Sequence, residues 1–321
     1  MREFKNYALL NLGRLEYEDK NYLKALKHFR AISKNSYLFY DSLYMQAWTL
    51  FMEGYVNHAL GALHAVDSPF YVEKYNPESA ILRSLIYYWI CDYDEAKGAL
   101  ADFVDRYSQS INDLTHFVSY STLSWKVGYD LFDNATGQKT IENIQGVPLS
   151  IVKEIIINDV VFPLRQELYE ILSEYNKFLR RRVLFEKSTS FKYFNTYYNK
   201  LIEYYQKKLG IAIIEELKEA EQKYKQKLYE ANFLYVELLM SEKAKAEGGE
   251  LHVDTKILDT RTNENIKGWS KYPMPWKASK INEYWWDEMG FYVYTVSPNC
   301  NLIDTYENQQ GSNKNERIKS K

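Results

Sequence analysis

One small residue recurs at nearly constant spacing inside the same short phrase. Residues 21–26 read Asn-Tyr-Leu-Lys-Ala-Leu, 54–60 read Gly-Tyr-Val-Asn-His-Ala-Leu, and 92–97 read Asp-Tyr-Asp-Glu-Ala-Lys. Tyr22, Tyr55 and Tyr93 thus precede Ala25, Ala59 and Ala96, with steps of 34 and then 37 residues between the alanines. A period of this size belongs to solenoids of helix–turn–helix units, each unable to bury its apolar face without a neighbour. An alanine at a fixed point of every unit lets two helix axes approach closely. Such arrays present extended surfaces that hold other molecules.

Three units follow from this register: 6–39, 40–73 and 77–110. In the first, Gly13 sits where the leading helix crosses the following one, and Ala25 and Phe29 fall on the second helix. Ala47 takes the small slot of the second unit, with Ala59 and Leu63 on its second helix. Ser84 takes that slot in the third, with Ala96, Leu100 and Phe103 following. The three extra residues lie in the connection 67–77, punctuated by Pro69 and Pro77, the latter suited to the first turn of a helix.

Beyond residue 110 the phrase stops. Residues 111–132 read as helix, 133–149 as loop, and 151–179 as apolar helix, with Pro163 marking a kink or a new start. From 181 to 246 the chain is charged and helical. Ile213, Leu217, Ala220, Tyr224, Leu228, Ala231, Tyr235 and Leu238 make one narrow stripe, as in a helical hairpin or a coiled coil. Glu219 with Lys223 and Glu221 with Lys225 are i,i+4 pairs in the favourable order.

The tail, 247–302, differs in character. Residues 251–258 are expected to form a strand, and four Trp (269, 276, 285, 286) follow. Residues 283–296 read as a β-hairpin around an Asp287-Glu-Met-Gly290 turn. The polar terminus, 303–321, is expected to be disordered. The fold class is therefore mainly α: a helical solenoid, an irregular helical middle at 111–180, a long helical arm and a small β tail.

Hydrophobic residues at 46% support a real core, and 30 Tyr bring the aromatic share to 16%, suited to half-buried helix faces. The 41 basic and 43 acidic side chains nearly cancel, so charge balance calls for no nucleic-acid or acidic-membrane partner. Arg180, Arg181 and Arg182 could meet phosphates, but the Glu-rich helix after them reads as a solvated, salt-bridged face. No run of about 18 apolar residues exists, so no transmembrane insertion is expected. The first residues lack a signal peptide's apolar stretch. The first unit starts within a few residues of Met1 without a polar capping unit, from which we expect an upstream part carrying a signal and further repeats.

The five histidines (28, 58, 64, 116, 252) have no metal-ligand spacing, and no phosphate loop or nucleophile motif occurs. His28 and His58 are expected at polar surface positions, and Asp287 and Glu288 as solvated turn residues. The reading is of no catalytic site, no metal and no cofactor. Cys91 and Cys300 are either two reduced thiols or a disulfide clamping the tail onto the third unit, the latter requiring an oxidising compartment.

The signature residues of 6–110 resemble tetratricopeptide repeat proteins. Cys-Asp-Tyr-Asp-Glu-Ala at 91–96, the long charged helix and Glu-Tyr-Trp-x-Asp-Glu-x-Gly-x-Tyr-x-Tyr at 283–294 are similar to large bacterial envelope repeat proteins associated with gliding motility. That resemblance implies a periplasmic or outer-membrane-associated scaffold without catalytic residues; the chain as it stands, if complete, would be cytoplasmic. In tetratricopeptide repeats the first helix of each unit lines a concave groove. By register it would include Tyr44, Trp48, Phe51 and Trp89, with Tyr7, Leu10 and Arg14 nearby. Such a groove suits an amphipathic helix or an extended aromatic segment, and the same residues could equally be inter-helix core. The filler is another protein or the chain's own C-terminal segment. A second reading has the Trp-rich tail stack on sugar rings as an accessory subunit.

Overall fold

The computed structural model describes residues 2–120, 123–137, 143–144, 146–182, 186–247, 276–277 and 283–300. The protein is mainly helical. Packing divides it into two units: Met1–Asp67 with Leu82–Ala99 and Glu237–Lys321, and Ser68–Ile81 with Leu100–Val236. These units are not collinear with the repeats, middle, arm and tail marked out along the sequence, because α5, α6 and α11 (ranges below) each contribute to both.

In the first unit, α1 (Arg2–Glu18) and α2 (Tyr22–Arg30) form one pair, and α3 (Phe39–Met52) and α4 (Val56–Val66) a second. The ends of α5 (Glu78–Trp89) and α6 (Tyr93–Phe103) that belong here form a third. The pairs share one turn. Lys20, Gly54 and Cys91, spaced like the alanines, all take positive φ (61°, 81° and 59°). In each turn that residue's N–H returns to the carbonyl three residues back: Lys20 to Tyr17, Gly54 to Phe51, Cys91 to Tyr88. The next N–H returns five back: Asn21 to Glu16, Tyr55 to Leu50, Asp92 to Tyr87. This is the Schellman arrangement, which satisfies carbonyls orphaned at a helix end. The amides of Ala25, Ala59 and Ala96 then bond the carbonyls of Asn21, Tyr55 and Asp92, so each alanine opens the ladder of its second helix.

Ala25, Ala47, Ala59 and Ala96 are fully buried. A Cβ added at Gly13 would lie 2.4 Å from the Phe29 ring, which is why that crossing carries no side chain. Ser84 uses the same slot differently, its Oγ donating to the Ala96 carbonyl at 2.9 Å. Leu10, Ala25, Phe29, Ile32 and Leu38 form a core cluster, lined further by Leu9, Tyr17 and Met45.

The second unit contains the 3₁₀ turn Pro69–Tyr71, a π-helical turn Val104–Ser108, α7 (Gln109–Tyr120), α8 (Trp125–Thr136), α9 (Leu149–Ile156), α10 (Val161–Arg180) and most of α11 (Thr189–Ala246). The expected loop at 133–149 is shorter than its composition suggests. α8 runs on to Thr136, and β1 (Asn143–Ile144) pairs antiparallel with β2 (Val147–Pro148). Pro163 marks a helix start: it sits in the first turn of α10, where a missing N–H costs nothing. The Asn158 side chain caps that turn, accepting from Val160 N and Val161 N at 3.1 and 2.8 Å. Gly128 of α8 and Gly210 of α11 cross in backbone contact, a Cβ on Gly210 falling 1.9 Å from the Trp125 carbonyl oxygen.

The stripe of α11 is buried at Ile213, Leu217, Tyr224, Ala231 and Leu238. Tyr235 departs from expectation: it is 46% exposed, and Leu234, 6% exposed, packs inward instead. Three residues separate Ala231 from Leu234 and four separate Leu234 from Leu238, which keeps the stripe on one face at about 3.6 residues per turn. Tyr224 lies edge-on to Tyr75 (4.8 Å between centroids) and donates to Glu154 Oε2 at 3.3 Å. Glu221 pairs with Lys225 (3.8 Å), but Lys223 turns to Glu78 (3.4 Å) rather than Glu219.

The tail is not a β-hairpin. Residues 283–285 carry no regular secondary structure, Trp286–Glu288 is a 3₁₀ turn, and β4 (Tyr292–Val293) pairs parallel with β3 (Trp276–Lys277). The strand expected at 251–258, Trp269 and the polar terminus lie outside the described residues.

Candidate partner-binding site

The first unit carries two aromatic surfaces, on the first helices of the pairs and on the tail. On the first helices, Trp48 and Phe51 of α3 lie 6.4 Å apart, and Phe51 meets the Trp89 ring of α5 edge-on at 6.3 Å. Phe51 is buried and belongs to the core, whereas Tyr44, Trp48 and Trp89 are half-buried. Leu10, expected near the groove, is core as well, because it packs on Ala25 and Phe29. Tyr7 and Arg14 face out. Three aromatic rings therefore come together, two of them half-buried.

The tail lies along α4, and α4 explains why. Every residue from Val56 to Val66 is buried, polar ones included. A helix covered all round needs a partner on the face its own pair leaves open, and residues 283–300 supply it. Asn57 replaces the missing hairpin strand: its carbonyl accepts from Tyr294 N at 2.9 Å, its Oδ1 from Val296 N at 2.8 Å, and its Nδ2 donates to the Val296 carbonyl at 3.2 Å. At Gly61 a Cβ would lie 1.8 Å from the Tyr292 carbonyl oxygen, so the tail backbone sits directly on the helix backbone.

Tyr292 is fully buried. Its hydroxyl accepts from Trp285 N at 2.7 Å and donates to the Trp285 carbonyl at 3.2 Å, closing residues 285–292 into a loop. Gly290 turns that loop at φ 87°. The loop is held further by Lys34 Nζ, which donates to the Asp287 carbonyl at 2.6 Å and lies 5.1 Å over the Phe291 ring. Trp285 and Trp286 remain exposed.

His64 stacks on Tyr284 at 4.5 Å and meets Tyr292 edge-on at 4.9 Å, its Nε2 within 3.2 Å of the Glu283 carbonyl. Burial pushes its pKa down, with Arg83 adding to the effect. His58, expected at the surface, is 3% exposed, because the face of α4 that a bare solenoid would show to water is covered. Burial, helped by the Arg30 charge, lowers its pKa to about 4. Glu288 is not simply a solvated turn residue: partial burial, then the Asp287 charge, raises its pKa.

At the far end of the tail Cys300 is joined to Cys91 by a disulfide, with Cα atoms 5.0 Å apart. Asn299 N donates to the Ile90 carbonyl at 2.7 Å. An open cavity of about 350 Å³ lies beside the disulfide, lined by Asp92, Asp94, Glu242 and Lys245 among others. Lys245 donates to the Asn299 carbonyl at 3.2 Å, and Lys97 bridges Asp94 and Glu242, so the charges there are drawn into structural pairs. Among the described residues no group of three or more His, Cys, Asp or Glu is disposed to hold a metal ion. No described helix is long and apolar enough to cross a membrane.

Asn57, Gly61 and His64 position the tail, and the sequence reading passed over them. Their signal was an amide, a glycine and two histidines within a helix otherwise made of Val, Ala and Leu. No protein-family model, curated protein or solved structure matches this chain.

Proposed function

We propose that this chain is a non-catalytic interaction scaffold of the tetratricopeptide kind, working in an oxidising, envelope-associated compartment as part of an assembly such as a motility machine. The observation that carries the reading is the common build of the three helix pairs: one Schellman turn, one buried alanine and one phase, repeated at 34 and 37 residues. Repetition of this sort builds a continuous surface. The tail, strapped over α4, leaves the partner-facing role to the first helices, where the half-buried Trp48 and Trp89 flank Phe51. Buried aromatics of this type dominate binding energy at interfaces. The Cys91–Cys300 disulfide supports the compartment, since such bonds persist where thiols are not kept reduced.

The test is Trp48→Ala. Loss of the partner recovered by cross-linking from the native envelope, with helix content and melting temperature nearly unchanged, supports the groove. Global unfolding would make Trp48 core and remove the basis for a groove there.

A second reading is favoured by one observation: Trp285 and Trp286, adjacent on the tail loop, are 55% and 41% exposed. Flat indoles held out by a pinned loop suit stacking on sugar rings. A tryptophan fluorescence shift on adding glycan, lost in Trp285→Ala, distinguishes this accessory role from protein capture.

A further inference from the structure

The unassigned feature of the second unit is a row of large apolar side chains on the outside of α11. Tyr193, Tyr197, Tyr204, Ile211, Tyr229, Phe233 and Val236 are each between 49% and 68% exposed. They are not scattered. Eighteen residues of α-helix make about five whole turns, and Tyr193, Ile211 and Tyr229 follow one another at steps of 18. The other four fall within roughly 40° of that line at about 100° per residue. The opposite face of the helix carries the buried stripe of Ile213, Leu217, Tyr224 and Ala231. The row is thus a second apolar face, interrupted by Lys200, Lys207, Glu215, Lys218, Gln222 and Lys225, all exposed.

We infer that this face is a homodimer interface, in which α11 of one copy lies antiparallel against α11 of another. Two observations select a second copy as the occupant. The first is area: aromatic side chains carry roughly 150–250 Å² each, so seven side chains half open or more expose on the order of 800 Å², what one partner gives to a standard interface. The second is self-complementarity. A two-fold axis placed between residues 216 and 217 sets Tyr204 opposite Tyr229 and Tyr197 opposite Val236, apolar against apolar, with Phe233 over the stem of Lys200 and Ile211 against Gln222. It also sets Glu215 opposite Lys218, so these two residues become two opposite-charge pairs at the centre. A two-fold interface must be self-complementary in this way, and a parallel pairing would instead put Glu215 against Glu215 and Lys218 against Lys218.

The experiment is sedimentation equilibrium of the full, oxidised chain over about 1–100 μM, a range that brackets a modest dimer. The expected result is a reversible dimer. Tyr229→Glu and Tyr204→Glu, both at exposed positions, should each weaken it at least about a hundredfold, since truncating or charging central aromatics at a symmetric interface counts twice. Circular dichroism should not change. Glu215→Lys should weaken the dimer roughly tenfold by setting Lys against Lys, and the double variant Glu215→Lys/Lys218→Glu should restore it. A strictly monomeric chain overturns the inference, and its flotation with anionic vesicles would assign the face to a lipid surface. A dimer indifferent to Tyr229→Glu also overturns it, as does one weakened by Tyr229→Glu but unaffected by Glu215→Lys, which would exclude the antiparallel register.

Discussion

Helix α4 and the second-unit stretch of α11 present the same problem and meet it differently. Both carry large or apolar residues on more faces than one neighbour can cover. In α4 the surplus face is closed from within the chain: residues 283–300 lie on it, with Asn57 supplying three hydrogen bonds to the tail backbone and Gly61 letting that backbone touch. In α11 the surplus face stays open at Tyr193, Tyr204, Tyr229 and Phe233. The difference lies in residue type rather than hydrophobicity. The covered face offers small and hydrogen-bonding residues, which receive a strand-like segment. The open face offers aromatics at whole-turn spacing, which suit another helix.

The sharpest way to break this contrast is Gly61→Val. Taken alone, replacing a mid-helix glycine favours the helix by up to about 1 kcal/mol. Here the new Cβ would stand 1.8 Å from the Tyr292 carbonyl oxygen, and backbone cannot step aside as a flexible side chain can. The expected outcome is release of residues 283–300, read as rapid proteolysis after Tyr284 or Trp285, and destabilisation of the first unit by more than about 4 kcal/mol through lost burial of α4. A variant that keeps the tail protected would mean that α4 is closed by something other than this contact.

A smaller effect sharpens the α11 side. Leu234 is inside and Tyr235 outside, although the sequence pattern favoured the reverse. Leu234→Ala should cost about 3 kcal/mol, as a buried leucine does, while Tyr235→Ala should stay within about 0.5 kcal/mol. Urea denaturation of both variants decides which residue belongs to the buried stripe.

What could be read from the sequence was whatever repeats locally. The alanines at 25, 59 and 96, the small slots at Gly13, Ala47 and Ser84, and the long helix all follow from spacing within one or two turns. What could not be read depended on contacts between distant segments. Nothing near Tyr292 announces that the residues after its strand, Tyr294 and Val296, will bond Asn57 instead of a hairpin partner. Likewise His58 looks like a surface histidine until a tail more than 220 residues away covers its helix. The site was legible at Trp48, Phe51 and Trp89 as a cluster, but which of them is core depends on packing against neighbouring pairs. Even so, α4 did contain a warning, since a helix with no charged residue at all has no face meant for water.

The mildest test of the contrast is acidification. The folded-state pKa of His58 lies at about 4, below the ordinary value of 6.5, because burial disfavours its charged form. Between those values the unfolded chain binds more protons than the folded one, so stability is complete above about pH 6.5 and falls as pH drops toward 4. At pH 5 the loss from His58 should be about 2 kcal/mol. His64, beneath Tyr284 and Tyr292, is shifted in the same direction and adds to it. Glu216 and Glu288 have raised pKa values and act oppositely, favouring the folded chain as they protonate. The decisive quantity is therefore the difference between the parent chain and His58→Gln. If the fall in urea midpoint from pH 7.5 to 5 is smaller in the variant and proteolysis of the tail follows the midpoint, α4 is closed by the tail in solution. An unchanged slope would mean that His58 reaches water, and the distinction between the covered helix and the open one would not hold.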